Sequence, residues 1–217
     1  MKNKSVGFPK AYWDQNYSDP EEMDGIGNAD AHIRYIKSIF DVEQINILSV
    51  GDLGFGLGFL LLKFCNIIKP QVVLGIEPSN FAFEQGKKRV SSKFKESKLF
   101  QTDLVTWCKQ NKSNDLVLDI GLLTSVLQYL TDEEIKYIVP ILAKKFRYLY
   151  LSVPTDKELK RQREEAEFTD IYAISRSKSY YYKSLRKNFT FISQRLLESK
   201  HFFNELNTPF TDLLFRF

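Results

Sequence analysis

Residues 46–59 read NILSVGDLGFGLGF: an apolar run, one acid, Asp52, and then glycines at every second position, Gly54, Gly56 and Gly58. Ile45, Ile47, Leu48 and Val50 give the strand Ile45 to Val50, and the segment Leu57 to Lys69 that follows has the length and composition of a helix. Glycine enters positive φ without steric cost and leaves no Cβ between backbone and a bound molecule, so this order predicts a turn that lines a ligand. A plain helix-entry turn is the alternative. The dinucleotide fingerprint needs a third glycine three positions after the second, to pack helix on strand. Counted from Gly56 that position is Phe59, and counting from Gly51 or Gly54 does not restore the pattern. The motif is therefore D-x-G-x-G-x-G.

From Ile45 onward, apolar runs of strand length alternate with helix-length segments. The strands are expected at 45–50, 71–77, 98–102, 115–121, 147–153, 189–197 and 211–217, and the helices at 57–69, 80–93, 105–110, 132–145 and 180–187. This rhythm predicts an α/β fold with a doubly wound, mainly parallel seven-stranded sheet and helices on both faces. ILSV, VVLGI, LVLDIGLL and YLYLSV are nearly continuous in hydrophobicity, as strands covered on both sides require. The last two strands follow one another through residues 199–210 without a helix, which predicts an antiparallel end to the sheet. Residues 1–41 read as an N-terminal helical cap, with aromatic Tyr12, Trp13 and Tyr17, a turn at Asp24 to Asn28, and a helix whose positions Ala29, Ile33, Ile36 and Phe40 share one face. With residues 42–217 as the core, one domain is expected over 1–217.

The chain has 217 residues, enough to bury a substantial core, with 43% hydrophobic and 27% charged residues, an ordinary globular balance. No apolar run approaches transmembrane length and MKNKSVGFPKAYW lacks a signal-peptide core, so a cytoplasmic location without a membrane partner is expected. Cys65 and Cys108 fall in helical segments and read as reduced and structural, and two histidines make a metal centre improbable. The net charge of +4 does not mark a nucleic-acid binder by itself. Arg176, Lys178, Lys183, Arg186 and Lys187, interleaved with Tyr180, Tyr181 and Tyr182, are either a surface for RNA or one solvated helix face, and the second reading is favoured.

Three further motifs follow in order. VVLGIEPS ends its strand on Glu77, 23 residues beyond Gly54, with Pro78 and Ser79 opening a helix; FQTDLVTW carries Asp103 and Leu104; and DLVLDIGLLTSVLQYLTDEE carries Asp119, Gly121 and Leu122, with Thr131 and Glu134 spaced as a capping box. Together with the glycine motif this ordered set resembles the class I, Rossmann-like S-adenosylmethionine (SAM)-dependent methyltransferases over about Ile45 to Val153. The resemblance implies SAM as cofactor, S-adenosylhomocysteine (SAH) as product and no metal. It implies that Gly54, Gly56 and Gly58 border the methionine and ribose, and that Asp52 serves the ammonium end. Glu77 would accept from both ribose hydroxyls, an acid that would equally suit NAD. Asp103 would accept from the adenine amino group with Leu104 facing the ring, and Asp119, Gly121 and Leu122 would lie beside the cofactor. Asp103 can instead cap the helix after it.

The family's Asp/Asn-Pro-Pro-Tyr segment and a Pro-Cys nucleophile are both missing from the sequence, which disfavours base-flipping DNA methylation. No general base stands out. His32 lies beside the apolar face of its helix and reads first as a satisfied core histidine, His201 is weaker still, and Tyr129 is a further candidate. Tyr12, Trp13 and Tyr17 are candidates for the substrate wall or a lid, with residues 10–28 covering the cofactor. The acceptor is unidentified, with a small molecule preferred; RNA, a protein side chain, a non-catalytic partner subunit and a nicotinamide oxidoreductase are the alternatives. Oligomeric state is not legible in the sequence.

Overall fold

The computed structural model describes residues 7–16, 26–165, 170–211 and 216. Tyr17 and Gly25 lie outside the described residues. The chain divides into two compact units, Met1–Leu122 and Leu123–Phe217.

The first unit contains α1 (Lys10–Asn16), α2 (Ile26–Val42), β1 (Ser49–Leu53), α3 (Phe59–Ile68), β2 (Val72–Ile76), α4 (Asn80–Ser91), β3 (Lys98–Phe100), α5 (Leu104–Asn111) and most of β4 (Leu118–Thr124). The apolar stripe of α2 is buried as its spacing requires, with Ala29, Ile33, Ile36 and Phe40 inside, and this helix lies along α3. Burying each large side chain of that stripe contributes roughly 1.5–3 kcal/mol. The helix begins at Ile26, earlier than the expected turn at Asp24 to Asn28 allows. β1, β2 and β3 are parallel, and β4 runs parallel to β1 with Gly51 opposite Gly121 and Asp52 opposite Leu122. α3 ends with Lys69 in the left-handed region and Pro70 after it, so proline stops the helix where glycine is more usual. Ser79, and not Pro78, caps α4 through a bond from the Ala82 N–H, which leaves Pro78 just outside the helix.

The second unit holds a 3-10 turn (Leu127–Tyr129), α6 (Asp132–Lys145), β5 (Phe146–Ser152), α7 (Asp156–Glu165), α8 (Lys178–Leu185), β6 (Phe189–Phe191) and β7 (Leu196–Ser199). Thr131 and Glu134 form the expected capping box of α6. Phe146, Tyr150, Phe189 and Phe210 are buried in this unit. Glu198, fully buried on β7, accepts from Thr208 Oγ1 at 2.7 Å and pairs with Arg216.

The seven strands form one sheet in the order β3-β2-β1-β4-β5-β7-β6, with β7 antiparallel to both β5 and β6 and helices around it. The antiparallel end is built differently from the sequence expectation. The single strand expected at 189–197 is a hairpin turning at 192–195, and it supplies both terminal strands. Thr211 lies in a turn, and most of the strand expected at 211–217 falls outside the described residues. No described helix is long and apolar enough to cross a membrane.

Candidate functional site

β1 runs into the glycine motif, with Leu53 opposite Ile76 and the Phe55 N–H donating to the Ile76 carbonyl at 3.1 Å. All three motif glycines take positive φ, at 138° for Gly54, 52° for Gly56 and 79° for Gly58, which a side chain would strain. The Gly58 N–H closes the turn on the Phe55 carbonyl at 2.8 Å, and Gly58 then caps α3. Phe55 fills the space left by two other glycines: a Cβ on Gly75 would stand 2.8 Å from its ring, and one on Gly86 of α4 2.6 Å from it. Arg89, one turn further along α4, donates to the Leu57 carbonyl and lies 3.8 Å over the Phe59 ring. The turn is thus fastened on its outer side as well.

Two carboxyls lie buried behind it. Glu77, 5% exposed at the end of β2, accepts from the Gly56 N–H at 3.0 Å and from the Ser79 N–H at 2.8 Å. Burial pushes its pKa up to about 7 against the pull of these two N–H groups. Asp52, 1% exposed, has an oxygen, Oδ2, with no hydrogen-bond partner among the described residues. Burial first, and the charge of Glu77 second, push it up to about 8. An acceptor held out of water with no donor is costly unless something else supplies one.

The other expected residues divide. Because β1, β2 and β3 are parallel and in register, with Leu53 opposite Ile76 and Ile76 opposite Phe100, their carboxyl ends share one edge of the sheet. Asp103 follows β3 at that edge, where Oδ1 accepts from the Thr106 N–H and Oδ2 from its hydroxyl, capping α5; Leu104 is buried. Gly121 and Leu122 lie beside Gly51 and Asp52. Asp119 does not join them. Its Oδ2 accepts from the N–H groups of Leu48 and Ser49 and from the Ser49 hydroxyl, each at 2.9 Å, so it bolts the amino end of β1 to β4. That is about 10 Å along the strand from the level of Asp52. The expectation that Asp119 borders the cofactor is therefore corrected: an acid early in a strand meets the start of its neighbour, not the ligand edge.

The N-terminal aromatics come to the motif. Trp13, 7% exposed, donates through Nε1 to Ser79 Oγ at 2.9 Å, and Ser79 Oγ donates to the Phe8 carbonyl at 2.7 Å. The Trp13 ring reaches 3.3 Å from where a Cβ on Gly56 would stand. Tyr12 stacks on Phe8 with centroids 4.1 Å apart and meets Trp13 edge-on.

His32 is half-buried on α2 and His201 is exposed against the edge of Phe202. In the second unit Tyr129 donates its hydroxyl to Asp170 at 2.7 Å. Among the described residues no three His, Cys, Asp or Glu side chains gather as a metal site.

Ligands in open parallel sheets sit beyond the carboxyl ends of the strands at the point where strand order reverses, which here is between β1 and β4. No protein-family model matches the chain, and no curated protein matches it in sequence. In structure it is similar to the plantazolicin methyltransferase BpumL in complex with SAH (TM-score 0.62, 14% identity, 84% of this chain and 71% of that one). It is similar also to a SAM-dependent methyltransferase from Archaeoglobus fulgidus (TM-score 0.60, 14% identity, 83% and 73%) and to magnesium protoporphyrin IX methyltransferase from Synechocystis PCC 6803 with bound SAH (TM-score 0.55, 17% identity, 80% and 81%). The chain has the class I methyltransferase fold.

Three contributors to the candidate site had little sequence signal. Gly86 reads as an isolated glycine inside a helical pattern, whose only mark is the helix propensity it sacrifices. Phe55 and Arg89 act through contacts made across 20 to 32 residues of chain, which no local pattern announces.

Proposed function

We propose that this chain is a SAM-dependent methyltransferase acting on a small-molecule acceptor. The observation that carries the reading is the unpartnered oxygen of buried Asp52, set beside glycines of positive φ and across from Glu77. A cationic ammonium group would supply the donor that Asp52 lacks and would hold it ionised. When bound, the cofactor supplies a methyl group activated by its positive sulfur. In this reading Asp52 binds the ammonium end, Glu77 the ribose hydroxyls and Asp103 the adenine amino group through the lone pairs its helix cap leaves over. The transfer is chiefly a matter of aligning the acceptor in line with the departing sulfur and keeping water out.

The small-molecule preference gains from the fate of the basic segment. Arg176 is buried, donating to Asp132 and to the Leu127 and Leu130 carbonyls, and Tyr181 is buried too. Lys178, Lys183, Arg186 and Lys187 remain exposed with Tyr182, which keeps an RNA acceptor as the second reading. The location that goes with this reading is the cytoplasm, where the buried thiols of Cys65 and Cys108 stay reduced.

Calorimetric titration with SAM, SAH and NAD tests the reading. Binding of the first two, lost in an Asp52→Ala/Glu77→Ala variant that remains folded, is the expected result, after which an acceptor screen follows; binding of NAD alone would overturn it.

A further inference from the structure

We propose that the segment from Gly7 to Trp13 is a latch that closes the cofactor site, so that SAM or SAH binds only when it lifts. The inference rests on the cofactor reading above and concerns how that site is controlled.

Glu77 is held by two N–H groups, those of Gly56 and Ser79. The segment sits on both of these residues. Trp13 lies against Gly56 and donates to the Ser79 hydroxyl, which is itself bonded to the Phe8 carbonyl. Gly7, at φ 69°, approaches so closely that a Cβ on it would stand 2.3 Å from the Ser79 nitrogen and 2.7 Å from the Pro78 carbonyl carbon. Phe8 and Tyr12 stack above, and Lys10 lies 5.8 Å over the Phe81 ring, so the segment spans the corner from the glycine turn to the start of α4.

The carboxylate expected to meet a ribose is 5% exposed beneath that corner, with one oxygen held on each side. A ribose cannot reach it from water while the segment is seated. Two hydrogen bonds fasten the segment to Ser79, from the Trp13 indole N–H to its hydroxyl and from that hydroxyl to the Phe8 carbonyl. A bond of this kind is worth only about 1 kcal/mol net, so removing one shifts the closed-to-open ratio about fivefold. The apparent dissociation constant equals the intrinsic one divided by the open fraction, so weakening the latch tightens binding.

Trp13→Phe keeps the ring and removes the donor. Gly7→Ala forces a methyl group against the Ser79 backbone and lifts the segment by a different route. Rates of SAH association and dissociation are to be measured by surface plasmon resonance on the full chain, with urea unfolding as the control for folding. In both variants the association rate should rise about five- to tenfold, the dissociation constant fall by the same factor, and the dissociation rate stay put. Wild-type binding with unchanged rates in both variants overturns the latch and leaves the cofactor reading standing. Weaker binding in Trp13→Phe also overturns it, since Trp13 would then hold the ligand and not exclude it. Binding by the variants alone supports a latch that is closed almost throughout. If no form of the chain binds SAH, the cofactor reading fails and takes the latch with it.

Discussion

Gly58 and Gly86 meet backbone to backbone: a Cβ on Gly58 would stand 2.9 Å from the Gly86 Cα, and one on Gly86 would stand 2.8 Å from the Gly56 carbonyl oxygen. In a dinucleotide fold the third glycine of the fingerprint lets helix and strand approach closely. Here Phe59 occupies that position, and a close approach is made by the next helix, through a glycine 28 residues beyond Gly58. The turn that borders the candidate site is therefore shaped from outside its own motif.

Gly86→Ala should destabilise the protein despite the better helix propensity of alanine, which alone would add about 1 kcal/mol. The new methyl group meets the Gly56 carbonyl and the Phe55 ring, and that ring is already confined by Gly75. Overpacking of this kind costs about 1–3 kcal/mol. Urea unfolding should show a lower midpoint, and SAH affinity should fall about tenfold because Gly56 moves. An unchanged or higher midpoint would mean that α4 yields freely.

The ordered acids, the glycine turn and the alternation of strand and helix were legible because each is a local pattern. What was not legible has physical reasons. β1 starts at Ser49 and not Ile45, since Leu48 is half exposed and the strand extends through Gly51 and Asp52, where a glycine and an acid conceal a buried strand. The hairpin inside 189–197 escaped notice because its turn contains buried Ile192 and no glycine or proline; Ser193 makes the turn instead, its hydroxyl accepting from the Leu196 N–H at 2.9 Å. α7 has no buried residue, so it carries no apolar periodicity and shows itself only in pairs such as Lys160–Glu164 and Arg161–Glu158. Asp119 shared its motif with Gly121 and Leu122, and only strand register could tell which end of β4 meets the site.

Stability should fall as pH rises from about 5 to 7. Asp52 and Glu77 hold their protons more tightly folded, at about 8 and about 7, than at their ordinary values of 3.8 and 4.5. The folded protein then binds more protons than the unfolded chain in that window, and each group removes about 1.4 kcal/mol per pH unit until it ionises in the folded state. Asp52→Asn should roughly halve the slope. Urea midpoints at half-unit pH intervals measure it, and parallel slopes for the two proteins would mean that Asp52 is ionised at neutral pH.

For the same reason, SAH should bind more tightly as pH rises from 6 toward 8. An ammonium partner favours ionised Asp52, so binding in this range should release a proton. Titration in two buffers of different ionisation enthalpy reads the proton directly, and proton uptake would contradict the pairing.

Asp119→Ala should cost stability and spare the site. One oxygen accepts from two backbone N–H groups and a hydroxyl of Leu48 and Ser49, and their loss leaves donors at the start of β1 unpaired, which amounts to about 2–3 kcal/mol. SAH affinity should stay within twofold of wild type at temperatures where the variant is folded. A large loss of affinity with an unchanged unfolding midpoint would return Asp119 to the cofactor.

Arg176→Lys should fail to replace arginine although it keeps the charge. The guanidinium side chain is 5% exposed and reaches Asp132 at 2.9 Å through Nε and the Leu130 carbonyl at 2.7 Å through Nη2, with the ring of Tyr180 beneath it. An ammonium group is a single point without that fork, so it cannot serve Asp132 and the carbonyls in their present places. Removing bonds to a charged group in a buried setting costs about 2–3 kcal/mol. The urea midpoint should drop accordingly, and amide exchange should speed up in residues 127–132, where Leu127, Leu130 and Asp132 lose their common anchor. Retention on an immobilised polyanion should not change, because Arg176 is not part of the exposed basic face. Normal stability with weakened retention would reverse that assignment and strengthen the case for RNA.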